Sequence, residues 1–315
     1  MTFITRPQNP AHTGTVRHLI AGLSICLGLG LGLSLSPLTH AAELKVVTSF
    51  SLLADLVQEV GGERVDVYAL VGPDENAHIH EPKPSDARRI GQARLVLANG
   101  LGFDDWLVRL ARSSGGGHAV VIASEGINPL AMDDPHDDHA ALDPHAWQDV
   151  RNVDRYVANI AAALIKVDPA GADLYRTRAA RYRDELKALD ADIRHAIAAL
   201  PAERRRVVSS HDAFGYFAHA YGLSFLAPVG VSNDAEPTAK EVARLITQLR
   251  QEKAAAVFVE NITDPRLIER IRIEGGAIMG GTLYADALSA ADGPAPTYLK
   301  LMRHNLDTLM TALRR

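Results

Sequence analysis

The chain has one cysteine in 315 residues. A single thiol cannot close an internal disulfide, build a thiolate zinc site or hold an iron–sulfur cluster. Aromatic residues are scarce, at 5%, which argues against a base-stacking platform for nucleic acid. Positive charge is short as well. The 33 Lys and Arg are outnumbered by 38 Asp and Glu, for a formal net charge of −5, so there is no electrostatic footprint for a phosphate backbone. Charged residues at 23% and hydrophobic ones at 47% are ordinary for a folded protein and not for a disordered one. The length allows two domains or one large one. Against these deficits stand thirteen histidines. That count raises metal or proton chemistry without deciding it.

The first forty residues read as an address. Residues 1–18 carry Arg6 and Arg17 and no acidic residue, Leu19–Leu35 is an apolar run, and Thr39-His40-Ala41 closes the segment. A positive stretch, an apolar stretch and a small-x-Ala site, in that order, describe a secretory signal peptide with cleavage expected after Ala41. A retained anchor is the alternative, though the run is short for a membrane span. The lone Cys26 follows Ile25 inside the apolar run, which does not fit a lipid-attachment site. The exported chain is expected in the periplasm, free of thiols.

Beyond residue 41 the pattern alternates strand and helix, which points to parallel sheets with crossover helices. Strands are expected at Leu44–Thr48, Val65–Val71, Leu95–Ala98 and Ala119–Ile122. A second set is expected at Arg206–Ser209, Ser224–Pro228, Ala255–Val259 and Ala277–Gly281. Helices are expected at Ser49–Val60, at Ser85–Ala93 with Ser85 as N-cap, and at Asp149–Ile165. Others follow at Phe214–Tyr221, Thr238–Glu252, Pro265–Gly275 and Thr297–Leu313. Residues 170–200 contain no proline and predict one stiff helix of about 46 Å at 1.5 Å per residue, with a break near Lys187 as the alternative. The expected fold class is therefore α/β. Two lobes with parallel-rich central sheets flanked by helices, residues 42–168 and 201–315, are joined by a rigid connector helix over 169–200.

Four segments hold candidate ligands, all in loops at strand ends: Asn76–Pro82 with His78 and His80, Asp143–Trp147 with His145, Ser209–Tyr216 with His211, and Gly280–Asp286 with Asp286. Open α/β sheets bind ligands beyond the carboxyl ends of their strands. Two facing lobes would bring two such edges into one cleft. Each segment alone is a weak signal.

Taken together with Asn99–Trp106 and Val257–Asn261, the segments make the chain resemble the solute-binding proteins of zinc and manganese ABC importers over nearly all of its length beyond the leader. The resemblance implies two α/β lobes on one long helix. It places the metal ligands at His78, His145, His211 and Asp286. It also implies delivery of the ion to a membrane permease driven by a cytoplasmic ATPase, with the protein a monomer and not an enzyme.

Three imidazoles and one carboxylate suit Zn2+, and such a set holds zinc more tightly than manganese. The manganese members of the family tend to carry Glu where this chain has His211, so zinc is the expected cargo, with Mn2+ or a broad divalent range as the alternative. Imidazoles must be neutral to ligate, so affinity should fall steeply below about pH 6. An exported zinc hydrolase is the competing class. It would leave one coordination position open for water and could use Glu81 as a base, but Glu81-Pro82 follows His80 where such enzymes continue with Asp and His. His80 is an auxiliary candidate, as a further ligand or a partner to one. His136 and His139, flanked by Asp133, Asp134, Asp137 and Asp138, are auxiliary candidates for scavenging zinc.

Overall fold

The computed structural model describes residues 44–115, 117–132, 142–232, 237–252 and 254–314. The expected leader, His136 and His139 lie outside the described residues. In the first lobe, β1 (Leu44–Phe50), β2 (Val65–Val71), β3 (Leu95–Ala98) and β4 (Ala119–Ile122) form an all-parallel sheet in the order β2-β1-β3-β4. In the second, β5 (Arg206–Val208), β6 (Ser224–Leu226), β7 (Ala256–Glu260) and β8 (Ile278–Leu283) repeat that order as β6-β5-β7-β8. The order reverses between β1 and β3 and again between β5 and β7, and crevices at such switch points are where open sheets bind ligands.

Burial follows position in the sheet. Central β3 is Leu-Val-Leu-Ala, buried throughout, whereas edge strand β2 exposes Asp66 and Tyr68 between less exposed neighbours. A strand covered on both faces reads as a continuous apolar run. β8 departs from regular pairing, with a register shift opposite Val257 and Phe258. A Cβ on Gly280 would run into the Phe258 ring, and Gly281 sits at φ +124°. Only glycine fits both demands, and pairing resumes from Gly281 to the strand end at Leu283, three residues before Asp286.

The helices of the first lobe are α1 (Ser51–Gly61), α2 (Pro84–Gln92), α3 (Asp105–Ser113) and α4 (Val150–Val167), followed by the long α5 (Ala172–Ala198). In the second lobe they are α6 (Gly215–Tyr221), α7 (Ala239–Glu252), α8 (Pro265–Gly275) and α9 (Tyr298–Leu313). Helix α2 starts one residue earlier than the sequence suggests. Pro84 takes the first helical position, where its missing N–H costs nothing, and the Asp86 carboxylate accepts from the Lys83 N–H at 2.8 Å. Ser85 is therefore inside the helix and not its cap. Helix α3 was not anticipated.

Helix α5 runs unbroken past Lys187 for 27 residues, about 40 Å, after a short 3-10 turn at Pro169–Gly171. Its buried residues Tyr175, Ala179, Tyr182, Leu186, Leu189, Ile193 and Ile197 fall three or four apart, so they form one stripe. That stripe packs on α1, α4, α6 and α9. The helix is thus a spine against which both lobes lie, not an isolated rod. One apolar core continues from Phe50 and Trp147 in the first lobe to Phe258 and Met302 in the second, while each sheet keeps a smaller core on its outer face. Among the described residues no helix is long and apolar enough to cross a membrane.

Candidate metal centre

The structure brings the four expected donors together. One ligand atom from each of His78, His145, His211 and Asp286 lies within 4.8 Å of all the others. Asp286 is the hub. Its Oδ2 is 3.2 Å from His78 Nε2 and 3.0 Å from His211 Nε2, and its Oδ1 is 3.6 Å from His145 Nε2. His211 Nε2 and both Asp286 oxygens are buried without hydrogen-bonding geometry to any partner. Buried polar atoms are almost always hydrogen-bonded. An imidazole nitrogen and a carboxylate left in this state, with two more imidazoles beside them, offer a cation its ligands. His145, His211 and Asp286 are sealed from solvent, and only His78 keeps access, with its side chain 6% exposed.

His211 and Asp286 are placed just past strand ends, at β5 and β8, whereas His78 and His145 lie on loops. His211 follows β5 and Glu260 ends β7, so the pair straddles the second lobe's switch point. The Ser210 and His211 N–H groups donate to Glu260 Oε1 at 2.8 and 3.0 Å, and Glu260 Oε2 lies 2.5 Å from His211 Nδ1. His145 is held the same way by Asp143. Its own N–H donates to Asp143 Oδ1 at 2.9 Å, and Nδ1 is 2.9 Å from the same oxygen. A carboxylate at Nδ1 fixes the tautomer that leaves Nε2 free to ligate, and it makes that nitrogen more basic.

The His145 segment is anchored at both sides of the cleft. Asn99, just past β3, donates to Pro144 O at 2.9 Å. Trp147 Nε1 and Gln148 Nε2 both donate to Ala285 O at 2.9 Å, beside Asp286. Phe50, Phe103 and Trp147 pack with ring centroids 4.9–5.0 Å apart, and the His78 ring stands edge-on to Phe103. This apolar floor keeps water out, which strengthens every charge interaction in the site.

Burial would by itself push the Asp286 carboxyl up, but the neighbouring His211 and His145 hold it well below the usual carboxylate range. Burial would push His211 down, but Glu260 and Asp286 hold it well above the ordinary imidazole value. The field that favours a proton between these carboxylates favours a divalent cation there more strongly, because the cation carries twice the charge.

Gly215, at the start of α6, touches Asp143 from the opposite lobe. A Cβ at 215 would run into Asp143 Oδ2. Gly215→Ala is therefore expected to push Asp143 away from His145 Nδ1 and weaken metal binding about tenfold, at the low end of what losing such a partner costs. Chelator competition measures this, and unchanged affinity would show that the contact relaxes freely.

His80 is not brought to the cluster. Its Nε2 lies 3.4 Å from Asp86 Oδ2 and its ring packs on Trp106 at 4.7 Å. Glu81 is exposed. His118 and His304 engage the carbonyls of Ala111 and Thr282. The orienting role of Asp143 was missed in the sequence. The Asp-Pro-His spacing was the available signal, since a carboxylate readily accepts from the N–H two residues on.

The model of the family described as the periplasmic component A of the zinc-uptake complex matches residues 46–312. The manganese-binding lipoprotein MntA of Halalkalibacterium halodurans is 34% identical, over 86% of this chain and 88% of that protein. The iron-binding protein YfeA of Yersinia pestis is also 34% identical, over 87% and 88%. The solved structure of the periplasmic zinc-binding protein TroA of Treponema pallidum superposes with a TM-score of 0.81 at 32% identity, covering 87% of this chain and all of that one. Three such relatives are named for three different ions. The chain belongs to this family of metal-binding ABC-transport solute-binding proteins, which are transport proteins and not enzymes.

Proposed function

We propose that the protein captures Zn2+ in the cleft between its lobes through His78, His145, His211 and Asp286, and delivers it to an ABC permease driven by a cytoplasmic ATPase. The observation that carries this reading is the convergence of three imidazole nitrogens and one carboxylate within 4.8 Å. That is a full tetrahedral zinc set with two carboxylates orienting its rings. Four protein donors leave no position for a reacting water. In this reading residues 1–41 are a cleaved leader, and the protein works in the periplasm as a monomer. The lobes are 42–168 and 201–315, joined by 169–200, and His136 and His139 scavenge zinc at low concentration.

Manganese is the second reading, favoured by a relative named for that ion. The donor set argues the other way, because a nitrogen-rich site suits zinc and manganese prefers oxygen. Calorimetric competition on the metal-free protein separates them. One Zn2+ per chain should bind and resist displacement by excess Mn2+, and His211→Glu should narrow the gap by losing more zinc than manganese affinity. Manganese affinity equal to or above that of zinc in the unsubstituted protein would overturn the zinc assignment.

A further inference from the structure

His78 lies on an irregular loop well past the end of β2, so something must hold that loop against the opposite lobe. Asp74, on the same loop, does this with three hydrogen bonds that all cross between lobes. Its N–H donates to Leu288 O at 2.8 Å, its Oδ1 accepts from Asn261 Nδ2 at 3.0 Å, and its Oδ2 accepts from the Ala290 N–H at 3.0 Å. The partners are not arbitrary. Asn261 follows Glu260, which orients His211, and Leu288 and Ala290 lie just past Asp286. Leu288 is held from its other side too, its N–H donating to Ser51 Oγ at 3.0 Å.

Asp74 adopts φ +55°, a left-handed turn conformation that aspartate tolerates better than most residues. Two local hydrogen bonds tie the chain between Asp74 and His78. The Glu75 carboxylate accepts from the Gly72 N–H at 2.7 Å, and Asn76 Oδ1 accepts from the His78 N–H at 3.0 Å. A displacement at Asp74 is thus carried to His78. Asn76 also lines a cavity of about 640 Å3 whose other walls, Ser210 and Thr263 among them, belong to the second lobe. Asp74 itself is exposed, whereas three of the four donors are sealed.

We propose that Asp74 is a solvent-facing latch that holds the lobes closed over the ion, so that breaking its cross-lobe bonds sets the rate at which the metal leaves. Asp74 does not touch the ion. It is a positioning residue for His78, and a partner that competes for its carboxylate, such as a cationic side chain on a permease, would open the cleft from outside. This inference rests on the donor assignment proposed above.

The test is stopped-flow transfer of zinc from loaded protein to excess chromogenic chelator. Asp74→Ala is expected to raise the off-rate about tenfold, as losing two such hydrogen bonds allows, with the on-rate within about twofold of the parent. The visible spectrum of the Co2+-loaded protein should be unchanged, because the donors are intact. Asn261→Ala should give a smaller rise, the double variant no more than Asp74→Ala, and Asp74→Asn, which keeps one acceptor oxygen, a partial return toward the parent rate. Parent-like release from both Asp74→Ala and Asn261→Ala would overturn the latch. So would a changed Co2+ spectrum in Asp74→Ala, which would make Asp74 part of the donor geometry. His78→Ala separates the two claims. If it binds zinc like the parent, the donor assignment fails and the latch with it. If it loses zinc while Asp74→Ala releases at the parent rate, the latch alone fails.

Discussion

Asp286→Ala is expected to lower zinc affinity by at least about a hundredfold. Structural zinc sites are worth about 10–16 kcal/mol in total. Shared over four donors, that is about 3 kcal/mol each, and 1.4 kcal/mol is a factor of ten. Asp286 should exceed an equal share because it is the only anion of the set and the group to which all three imidazoles point. Without it the buried ion would lose its one anionic ligand and keep only the more distant Glu260 and Asp143 charges behind the imidazoles, and burying under-compensated charge is costly. Competition against a chelator of known affinity measures the loss, with circular dichroism to establish that the variant is folded. A change of less than about tenfold would show that the carboxylate is not bound to the metal.

The second large effect is expected at a residue that does not touch the ion. Glu260→Gln should weaken zinc binding about 10–100-fold, although the side chain keeps its size and is fully buried. The carboxylate has two jobs. Oε1 accepts from the Ser210 and His211 N–H groups, and Oε2 faces His211 Nδ1. Glutamine can keep the first with its carbonyl oxygen, which places its NH2 against Nδ1. An N–H donor there requires Nδ1 to be the bare nitrogen, which moves the ring proton to Nε2 and blocks the ligating atom. The variant must then give up either the backbone bonds or the correct tautomer. Asp143→Asn should behave likewise at His145, while a surface change such as Arg266→Gln should leave affinity unaltered. If Glu260→Gln bound zinc like the parent, orientation by this carboxylate would have no role.

Much of this was legible in the sequence because the signals were local. Strand β3 and helix α8 fall on the residues their apolar runs and Pro/Gly boundaries mark. The four donors sat in loops after strands, where a two-lobed α/β chain converges. What escaped depended on contacts across the fold. Glu260 looked like one more polar residue at a strand end, and its purpose appears only when β7 lies beside β5. Asp74 gave no signal, since an Asp in a Pro- and Gly-rich loop reads as turn chemistry. Its partners are Asn261, Leu288 and Ala290, far along the chain. His80 misled by proximity. Two residues from a donor, it turns instead to Asp86 and Trp106, because in a loop alternation along the chain does not fix direction. Helix α3 was obscured by the glycine-rich run before it, where Asn99 and Gly100 donate to Asp104 at 2.6 and 2.9 Å.

The central claim is that one ion is held by these four side chains together. It is tested most directly by a crystal structure of the zinc-loaded protein with diffraction recorded on both sides of the zinc absorption edge. One anomalous peak is expected, bonded to Nε2 of His78, His145 and His211 at about 2.0–2.1 Å and to an Asp286 oxygen at about 2.0–2.2 Å. A peak elsewhere, or one bonded to fewer than these four residues with solvent completing the sphere, would contradict it.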